Sequence, residues 1–205
     1  MIIAIDGPAA AGKGTLARQI AEHFKYHYLD TGSLYRGVGL AVLKAGGDPA
    51  NETDALTAAK KLKQEDLVDY DLRTAQAGQT ASIVAQIPAV REEILQFQRR
   101  FADRQPGAVL DGRDIGTIVC PDADIKLFVT ASDEERAKRR FAELVARKET
   151  CDYDQVLADL RERDKRDRER PIAPLKPAAD AHLLDTSKLD IEAAFQAAID
   201  IINGS

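Results

Sequence analysis

A glycine-rich segment near the start of the chain, residues 7–15, constrains the fold more than any other feature. It follows an apolar run at 2–5 and precedes a helical pattern that begins at Leu16. A strand, a glycine-rich turn and a helix N-terminus in this order are typical of a phosphate-binding loop. The glycines let backbone N–H groups turn toward a polyphosphate, and the helix start adds unsatisfied donors and the positive end of its dipole. The alternative is a Gly/Ala-rich turn that happens to precede a helix.

This segment supplies the candidate nucleotide-binding residues. They are Gly7, Pro8, Ala9, Ala10, Ala11, Gly12, Lys13, Gly14 and Thr15. Lys13 adds a positive charge near the terminal phosphates and is a candidate catalytic residue. In the usual motif a Ser or Thr hydroxyl directly after the lysine meets Mg²⁺, whereas here the hydroxyl comes one residue later, at Thr15. We therefore expect Mg²⁺ to be bound with the nucleotide largely through water, with no metal site built from protein side chains.

Composition excludes several classes of protein. The 205 residues are 31% charged and 44% hydrophobic, which suits one large α/β domain. No apolar run has the length of a membrane span, and no signal peptide is visible. Cys120 and Cys151 have no metal or redox spacing, so we expect reduced thiols in a cytoplasmic protein. The net charge of −5 argues against general binding of nucleic acid. We expect a monomer without a membrane partner.

Alternating strands and helices predict a doubly wound, five-stranded parallel sheet with helices on both faces. The predicted strands span 2–6, 26–30, 108–111, 125–130 and 181–185. The predicted helices span 13–24, 33–45, 53–63, 74–104 with a break near Pro88, 133–148, 153–169 and 190–203. Ligands bind beyond the carboxyl ends of parallel strands, which places Asp6, Asp30, Asp111 and Asp185 near the active face.

Two polar segments follow predicted strands. After the second strand, a turn with Gly32 opens a helix that carries Tyr35 and Arg36. This arginine could fork onto a phosphate or be a solvated residue of a capped helix. After the third strand, the adjacent Arg113 and Asp114 could form a local ion pair or present both charges to a ligand. Their position at the carboxyl end of a strand favours the ligand.

Residues 161–170 form an unusually charged segment, with six basic and four acidic residues. If the preceding helix continues, Arg163, Asp167 and Arg170 fall on one face, before prolines end it. The segment could be an exposed helix with many ion pairs, or a mobile lid that closes arginines over phosphates. The phosphate loop favours the lid, and we expect the lid to lack apolar anchors after Leu160.

Over nearly its whole length the chain resembles the bacterial cytidylate kinases. The Gly-Lys-Gly-Thr ending at 12–15 resembles nucleoside monophosphate kinases more than GTPases. The other matching blocks are 5–8, 29–36, 73–74, 88–92, 111–117, 163–170 and 173–181. The resemblance implies one P-loop kinase domain over 1–205, with a core at 1–47, 105–149 and 178–205, an acceptor-binding insertion at about 48–104 and a lid at about 150–177. It implies transfer of the γ-phosphoryl group of ATP to CMP or dCMP.

The resemblance also implies roles for residues at matching positions. Arg36 and Arg113 match residues that hold the monophosphate of the acceptor. Ser82, Arg91 and Asp114 match residues that contact cytosine, and Arg163 and Asp167 match residues that reach the ribose. Arg170 matches a lid arginine near the nucleotide. The implied catalytic residues are Lys13, Arg113, Arg163 and Arg170, and the implied CMP-binding residues are Thr31, Tyr35, Arg36, Ser82, Arg91, Arg113, Asp114, Arg163, Asp167 and Arg170.

The chain departs from the family pattern at 64–72, where the family commonly inserts a small β-rich subdomain. The acceptor-binding insertion is therefore shortened. Base chemistry fits the resemblance, because a carboxylate such as Asp114 accepts from the cytosine amine and an arginine such as Arg91 donates to the cytosine acceptors. Alternatives are a kinase for UMP or several pyrimidine monophosphates, a GTPase-type switch and an RNA-binding protein. The Asn-Lys-x-Asp segment of guanine-binding switches is missing, and the acidic balance disfavours RNA.

Overall fold

A computed structural model describes residues 1–63, 67, 72 and 74–204. Its five strands are β1 (Ile2–Asp6), β2 (His27–Asp30), β3 (Ala108–Gly112), β4 (Ile125–Thr130) and β5 (His182–Asp185). They form one sheet in the order β2-β3-β1-β4-β5. In the register of the parallel pairs, Ile3 lies opposite Val109 in β3 and Ile125 in β4. The predicted five-stranded parallel sheet is confirmed.

The helices of the described residues are α1 (Lys13–Phe24), α2 (Thr31–Lys44), α3 (Glu52–Lys61), α4 (Ala75–Val84), α5 (Pro88–Ala102), α6 (Asp133–Ala146), α7 (Tyr153–Glu169) and α8 (Ile191–Asn203), with a short π-helix at Ile115–Val119. The break predicted near Pro88 separates α4 from α5, and proline is well suited to the first turn of a helix. The π-helix was not predicted. Within the described part of the chain, no helix has the length and apolar character needed to cross a membrane.

The start of α2 differs from the prediction. The helix begins at Thr31, two residues before the predicted start at 33, so Gly32 lies inside its first turn. The reason is the side chain of Asp30, which accepts a hydrogen bond from the backbone N–H of Ser33 at 3.1 Å. An aspartate at this position satisfies a helix donor that is otherwise unpaired. The end of β2 is therefore also the start of the helix.

The apolar core explains why β1 is central. Ile3, Ala4 and Ile5 are fully buried, as expected for a strand covered on both faces. Helix α1 packs Leu16 and Ile20 against this layer, at the i, i+4 spacing of one helix face, and α8 adds Ala198, Ile199 and Ile202. Because β1 and α1 are both fixed by this core, the loop that joins them starts and ends at rigid points.

The chain divides into two compact units. One unit, here called the sheet unit, comprises Met1–Leu29 and Phe101–Ser205, and the other, the helical unit, comprises Asp30–Arg100. Inside the helical unit α2 and α4 approach each other closely at Gly39. A Cβ added to this glycine would lie 2.5 Å from the hydroxyl of Thr80, so a larger residue would not fit. The shortened stretch 64–72 lies outside the described residues, apart from Leu67 and Leu72. The division into core, insertion and lid stays a prediction.

Candidate active site

The segment between β1 and α1 has the backbone geometry that a phosphate-binding loop requires. Gly7 has a φ of 149°, and a Cβ added there would lie 1.9 Å from the carbonyl oxygen of Val129 in β4. Only glycine fits this position. Ala10 and Gly12 have left-handed φ values of 59° and 90°. Alternation of conformations along such a loop turns consecutive N–H groups toward one concave side.

The carbonyl oxygens of the loop are held by the rest of the sheet unit. The carbonyl of Ala9 accepts from Nη1 of Arg136 at 3.1 Å. The carbonyl of Ala11 accepts from the hydroxyl of Thr186 at 3.1 Å and from Nη1 of Arg139 at 3.4 Å. In a planar trans peptide the C=O and N–H point in opposite directions, so a held carbonyl also fixes the direction of the next N–H.

Sequence reasoning missed Arg136, Arg139 and Thr186. The two arginines lie on α6 in a charged run, Glu134 to Arg140, that gives no sign of which side chains are buried. Arg136 is 1% exposed and the hydroxyl-bearing Thr186 is also buried. Their partners in the loop are more than 120 residues away in sequence. No local pattern in one sequence could have identified these contacts.

The N-terminus of α1 lacks the side-chain cap that other helices have. Gly12 is its N-cap residue and makes no side-chain hydrogen bond. By contrast, a side chain accepts from a backbone N–H at the start of α2, α3, α4, α6, α7 and α8. The first turn of α1 therefore keeps donors that can bind an anion. Lys13, in that turn, is buried and its Nζ donates to the carbonyl of Pro8 at 2.7 Å.

Asp6, at the carboxyl end of β1, holds the turn that follows β3. Its two carboxylate oxygens accept from the backbone N–H groups of Ile115 and Gly116, each at 2.8 Å. Burial raises the pKa of Asp6 to about 6, although these two hydrogen bonds favour the charged form. The topology had placed Asp6 at the active face, and its contacts show that it positions the segment carrying Arg113 and Asp114.

Arg113 and Asp114 are both paired with the α7 segment. Nε of Arg113 donates to Oδ2 of Asp167 at 3.0 Å, and Nη2 of Arg170 donates to Oδ1 of Asp114 at 3.4 Å. All four side chains are largely buried. Burial opposes ionisation of Asp167, but Arg113, Arg163 and Arg170 together lower its pKa. The structure thus brings together five of the predicted residues, three arginines and two carboxylates.

The segment after α7 is anchored, contrary to expectation. We predicted no apolar anchor after Leu160, and this is wrong. Ala173 and Leu175 are both 5% exposed. The backbone N–H of Leu175 donates to the carbonyl of Asp167 at 2.7 Å, and Nε of Arg170 donates to the carbonyl of Ala173 at 2.7 Å. The prolines end the helix but the chain folds back onto it.

The helical unit carries the other predicted acceptor residues. Arg36 forms an ion pair with Asp30 at the start of α2, and its Nε is buried without a partner among the described residues. The guanidinium of Arg91 lies over the ring of Tyr35, 5.5 Å from its centroid. Thr31 is buried at the first position of α2. These contacts show that Arg36 is an ion-paired residue rather than a solvated one.

Ser82 has a distinct environment. It lies on α4 and is 4% exposed, and its hydroxyl has no hydrogen-bond partner among the described residues. A buried hydroxyl normally finds a partner, because leaving it unpaired costs about 1–3 kcal/mol. An unpaired buried hydroxyl is therefore a reason to look for a ligand.

The described residues contain no cluster of three His, Cys, Asp or Glu side chains that could hold a metal. Oxygen donors do lie at the edge of the phosphate loop. Thr15 is exposed in the first turn of α1. The carboxylate of Asp111 lies 3.8 Å from the position of a Cβ added to Gly14. Hydroxyl and carboxylate oxygens are ligands that Mg²⁺ accepts. Two such side chains would leave most coordination positions to phosphate oxygens and water.

Comparisons with known proteins agree with this geometry. The family model for cytidylate kinase matches residues 3–204. A cytidylate kinase of Bradyrhizobium diazoefficiens is 56% identical over 202 residues, which cover 98% of this chain and 95% of the relative. One from Paramagnetospirillum magneticum is 58% identical over 204 residues, covering 98% and 97%. One from Cereibacter sphaeroides is 58% identical over 200 residues, covering 98% and 94%.

Solved structures share the fold at low sequence identity. An uncharacterised protein of Eubacterium ventriosum matches with a TM-score of 0.57 and 16% identity, covering 100% of this chain and 99% of its own. A Thermus thermophilus protein matches with a TM-score of 0.50 and 18% identity, covering 100% and 96%. These two likenesses concern the fold alone, whereas the family model and the close relatives extend over nearly the entire sequence. The chain belongs to the cytidylate kinase family.

Proposed function

We propose that this chain transfers the γ-phosphoryl group of ATP to CMP or dCMP, giving ADP and CDP or dCDP. The observation that carries the proposal is the family match over residues 3–204, in a chain whose phosphate loop has an uncapped helix N-terminus and anchored carbonyls. Relatives named cytidylate kinases are 54–58% identical to it. ATP, CMP and dCMP are the proposed small-molecule partners.

The phosphate loop is the proposed ATP site. Backbone N–H groups of 7–15 and the start of α1 would bind the phosphates, and Lys13 would stabilise charge on the transferring phosphoryl group. Phosphoryl transfer requires mainly positioning and charge stabilisation, which is what this part of the chain supplies. Thr15 and Asp111 are the proposed protein oxygens near Mg²⁺, which would be held largely through water and, when bound with ATP, would supply charge neutralisation at the phosphates.

Arginines are the proposed ligands of the acceptor phosphate. Arg113 uses its Nε for Asp167 and its Nη1 for the carbonyl of Gly112, so three of its five N–H donors remain for a ligand. Asp167 also holds the guanidinium plane in one orientation. Arg36, with its unpaired Nε, is the second phosphate ligand, and Arg163 and Arg170 supply further positive charge.

Ser82, Arg91 and Asp114 are the proposed cytosine-binding residues, and Thr31 and Tyr35 the proposed supporting contacts. The unpaired hydroxyl of Ser82 supports this proposal. Asp114 can accept from the exocyclic amine of cytosine, while uracil presents a carbonyl at that position. Arg163 and Asp167 are proposed to reach the ribose.

We propose that the segment at about 150–177 acts as a lid that becomes more ordered when both nucleotides bind. The arginine cluster around Asp167 supports this, because it would close over phosphates. Hydrogen exchange across the segment should slow in the complex with ATP and CMP analogues. Unchanged exchange would identify it as a static helix.

We also propose that the protein is a monomer that acts in the cytoplasm. Neither Cys120 nor Cys151 is joined in a disulfide, which supports a reducing compartment. Sedimentation at micromolar concentration tests the monomer, since a mass near 22.4 kDa is expected.

A turnover assay tests the proposed activity. ADP formation from ATP should be fastest with CMP or dCMP, slower with UMP, and absent above background with AMP, dTMP or shikimate. Equal turnover of CMP and UMP would establish a broad pyrimidine kinase instead. No turnover with any of these acceptors would refute the proposed function.

A further inference from the structure

Arg136 is the most buried charged side chain of the described residues, although the sequence analysis assigned it no role. It lies in the first turn of α6 with 1% of its side chain exposed. We propose that Arg136 is a positioning residue that holds the phosphate loop and helix α7 to each other. The proposal rests on the proposed function, because it assigns the loop to ATP and α7 to the acceptor.

The guanidinium of Arg136 reaches two functional elements from one fixed plane. Its Nη1 donates to the carbonyl of Ala9 in the phosphate loop at 3.1 Å. Its Nη2 forms an ion pair with Oδ2 of Asp164 in α7 at 2.6 Å. The remaining contacts, to the carbonyl of Ala131 just before α6 and to Asp133 at its start, fix the plane of the guanidinium. Because a guanidinium is rigid and planar, movement of one partner is transmitted to the other.

Asp164 depends on this contact. It is 3% exposed, and its other oxygen has no hydrogen-bond partner in the part of the chain that the structure describes. Asp164 lies in α7 between Arg163 and Asp167, and its negative charge contributes to raising the pKa of Arg113. The ion pair therefore fixes α7 at the turn that presents the proposed acceptor residues.

The contact to Ala9 matters because of the backbone next to it. Ala10 has a φ of 59°, which an alanine adopts only where surrounding structure enforces it. The Arg136 contact fixes the carbonyl of Ala9 and hence the N–H direction of Ala10. One side chain thus sets a donor of the phosphate loop and the placement of α7.

A buried ion pair can also be structural only, since replacing such a pair need not lower stability. The two roles differ in what they predict for ligand binding. A structural pair affects the melting temperature alone. A positioning residue changes nucleotide affinity and turnover at temperatures where the variant is fully folded.

The first experiment compares Arg136→Lys with Arg140→Lys, a matched change on the same helix at a partly exposed ion pair with Glu143. Lysine keeps the charge but cannot hold Ala9 and Asp164 together. ADP affinity by calorimetry and kcat/KM for ATP should each fall about 10- to 100-fold in Arg136→Lys, since small misplacements at such sites cost up to this much. Both should stay within twofold in Arg140→Lys. An Arg136→Lys protein that is folded and also within twofold overturns the proposal.

The second experiment uses Asp164→Asn, which keeps an acceptor for Nη2 but removes the charge, against Glu162→Gln on the exposed side of α7. We expect ADP affinity within twofold of the unmodified protein, faster hydrogen exchange in α7, and a fall of about tenfold in kcat/KM for CMP, within the range of a lost positioning contact. Unchanged exchange and an unchanged kcat/KM for CMP overturn the link to α7. Calorimetry with ADP and hydrogen exchange need no turnover, so they test the proposal even if CMP is not the acceptor.

Discussion

The phosphate loop and the helical unit hold their proposed ligand groups in different ways. The loop presents backbone N–H groups to its proposed ligand. Its conformation is enforced by the close fit of Gly7 against β4 and by side chains that donate hydrogen bonds to its carbonyl oxygens. The helical unit uses side chains on ordinary capped helices, and two of them, Ser82 and Arg36, keep buried polar atoms without a partner among the described residues. The comparison indicates that the phosphate loop is formed in advance, and we propose that the acceptor site of the helical unit is completed by its ligand.

This difference predicts different consequences of substitution. A change in the loop should lower turnover with every acceptor, because the loop is the proposed site of the phosphoryl donor. A change among the proposed base-binding residues should alter the choice between acceptors and leave the donor unaffected. Substitutions at Gly7, Lys13, Asp114 and Asp6 test that division.

Gly7→Ala should have the largest effect. Its Cβ would lie 1.9 Å from a carbonyl oxygen of β4, so either the strand or the loop must move. We expect a loss of stability of at least about 3 kcal/mol from overpacking together with the strained φ, and loss of measurable turnover. Thermal unfolding checks this. The control is Gly14→Ala, where the nearest atom would be 3.5 Å away and the melting temperature should change little. Equal melting temperatures for both variants would contradict the account of the loop.

Lys13→Ala should keep the fold and lose activity. The lysine is held by the carbonyl of Pro8, and its removal takes a fixed positive charge from the proposed transfer site. Loss of such a donor typically lowers kcat by about 100- to 1000-fold. The loss should be the same with CMP and dCMP. Lys138→Ala, which removes an exposed lysine of α6, serves as the control. A folded Lys13→Ala protein with near-native kcat would remove Lys13 from the mechanism.

Asp114→Asn should narrow the preference for CMP over UMP. Asparagine is nearly the same size but can offer an amide donor to the uracil carbonyl. One base-edge contact is worth about 1–3 kcal/mol, so the ratio of kcat/KM values should fall by roughly ten- to a hundredfold. The structure adds a rival role, since Asp114 accepts from Arg170. If that pairing is its only role, kcat/KM should fall equally for CMP and UMP, and the ratio of the two values should not change.

Asp6 makes stability and activity respond to pH in opposite directions. Burial raises its folded pKa from 3.8 to about 6, so the folded state takes up a proton at higher pH than the unfolded chain does. Between these values, Asp6 contributes more stability as the pH falls, and this contribution is lost as the pH rises through about 6. Relative to Asp6→Asn, the unmodified protein should gain about 1 kcal/mol between pH 7 and pH 5.

Protonation of Asp6 also removes one acceptor from the turn that carries Arg113 and Asp114. Turnover with CMP should therefore decline below about pH 6 while relative stability rises. Parallel thermal melts and rate measurements from pH 5 to pH 8 check both signs. A stability difference between the two proteins that does not depend on pH would show that Asp6 does not titrate in this range.

The sequence allowed the sheet and most helix bounds to be predicted because they depend on local signals. Apolar runs marked β1 and its neighbours, and period-four apolar residues marked α1. The phosphate loop was predictable for the same reason, since its glycines and lysine are contiguous. The start of α2 was placed two residues late because the capping role of Asp30 was not recognised.

The features that could not be predicted depend on distant contacts. The π-helix at Ile115–Val119 begins where a backbone N–H donates to the carboxylate of Asp6, more than 100 residues away in sequence. The burial of Arg136 and the anchoring of Leu175 are likewise set by tertiary packing. A charged run such as 134–140 has the same pattern whether its arginines face solvent or a core. The candidate site residues therefore came from the sequence and stay predictions, whereas the contacts that hold them could not be predicted.

Calorimetry of ADP and of CMP, each titrated into Lys13→Ala and Ser82→Ala, tests the division between the two sides most directly. We predict that Lys13→Ala weakens ADP binding and leaves CMP binding within twofold. Ser82→Ala should do the reverse, weakening CMP by about fivefold, the value of one hydrogen bond of about 1 kcal/mol. If each variant weakens both nucleotides to the same extent, the two sides are not held independently and the account is contradicted.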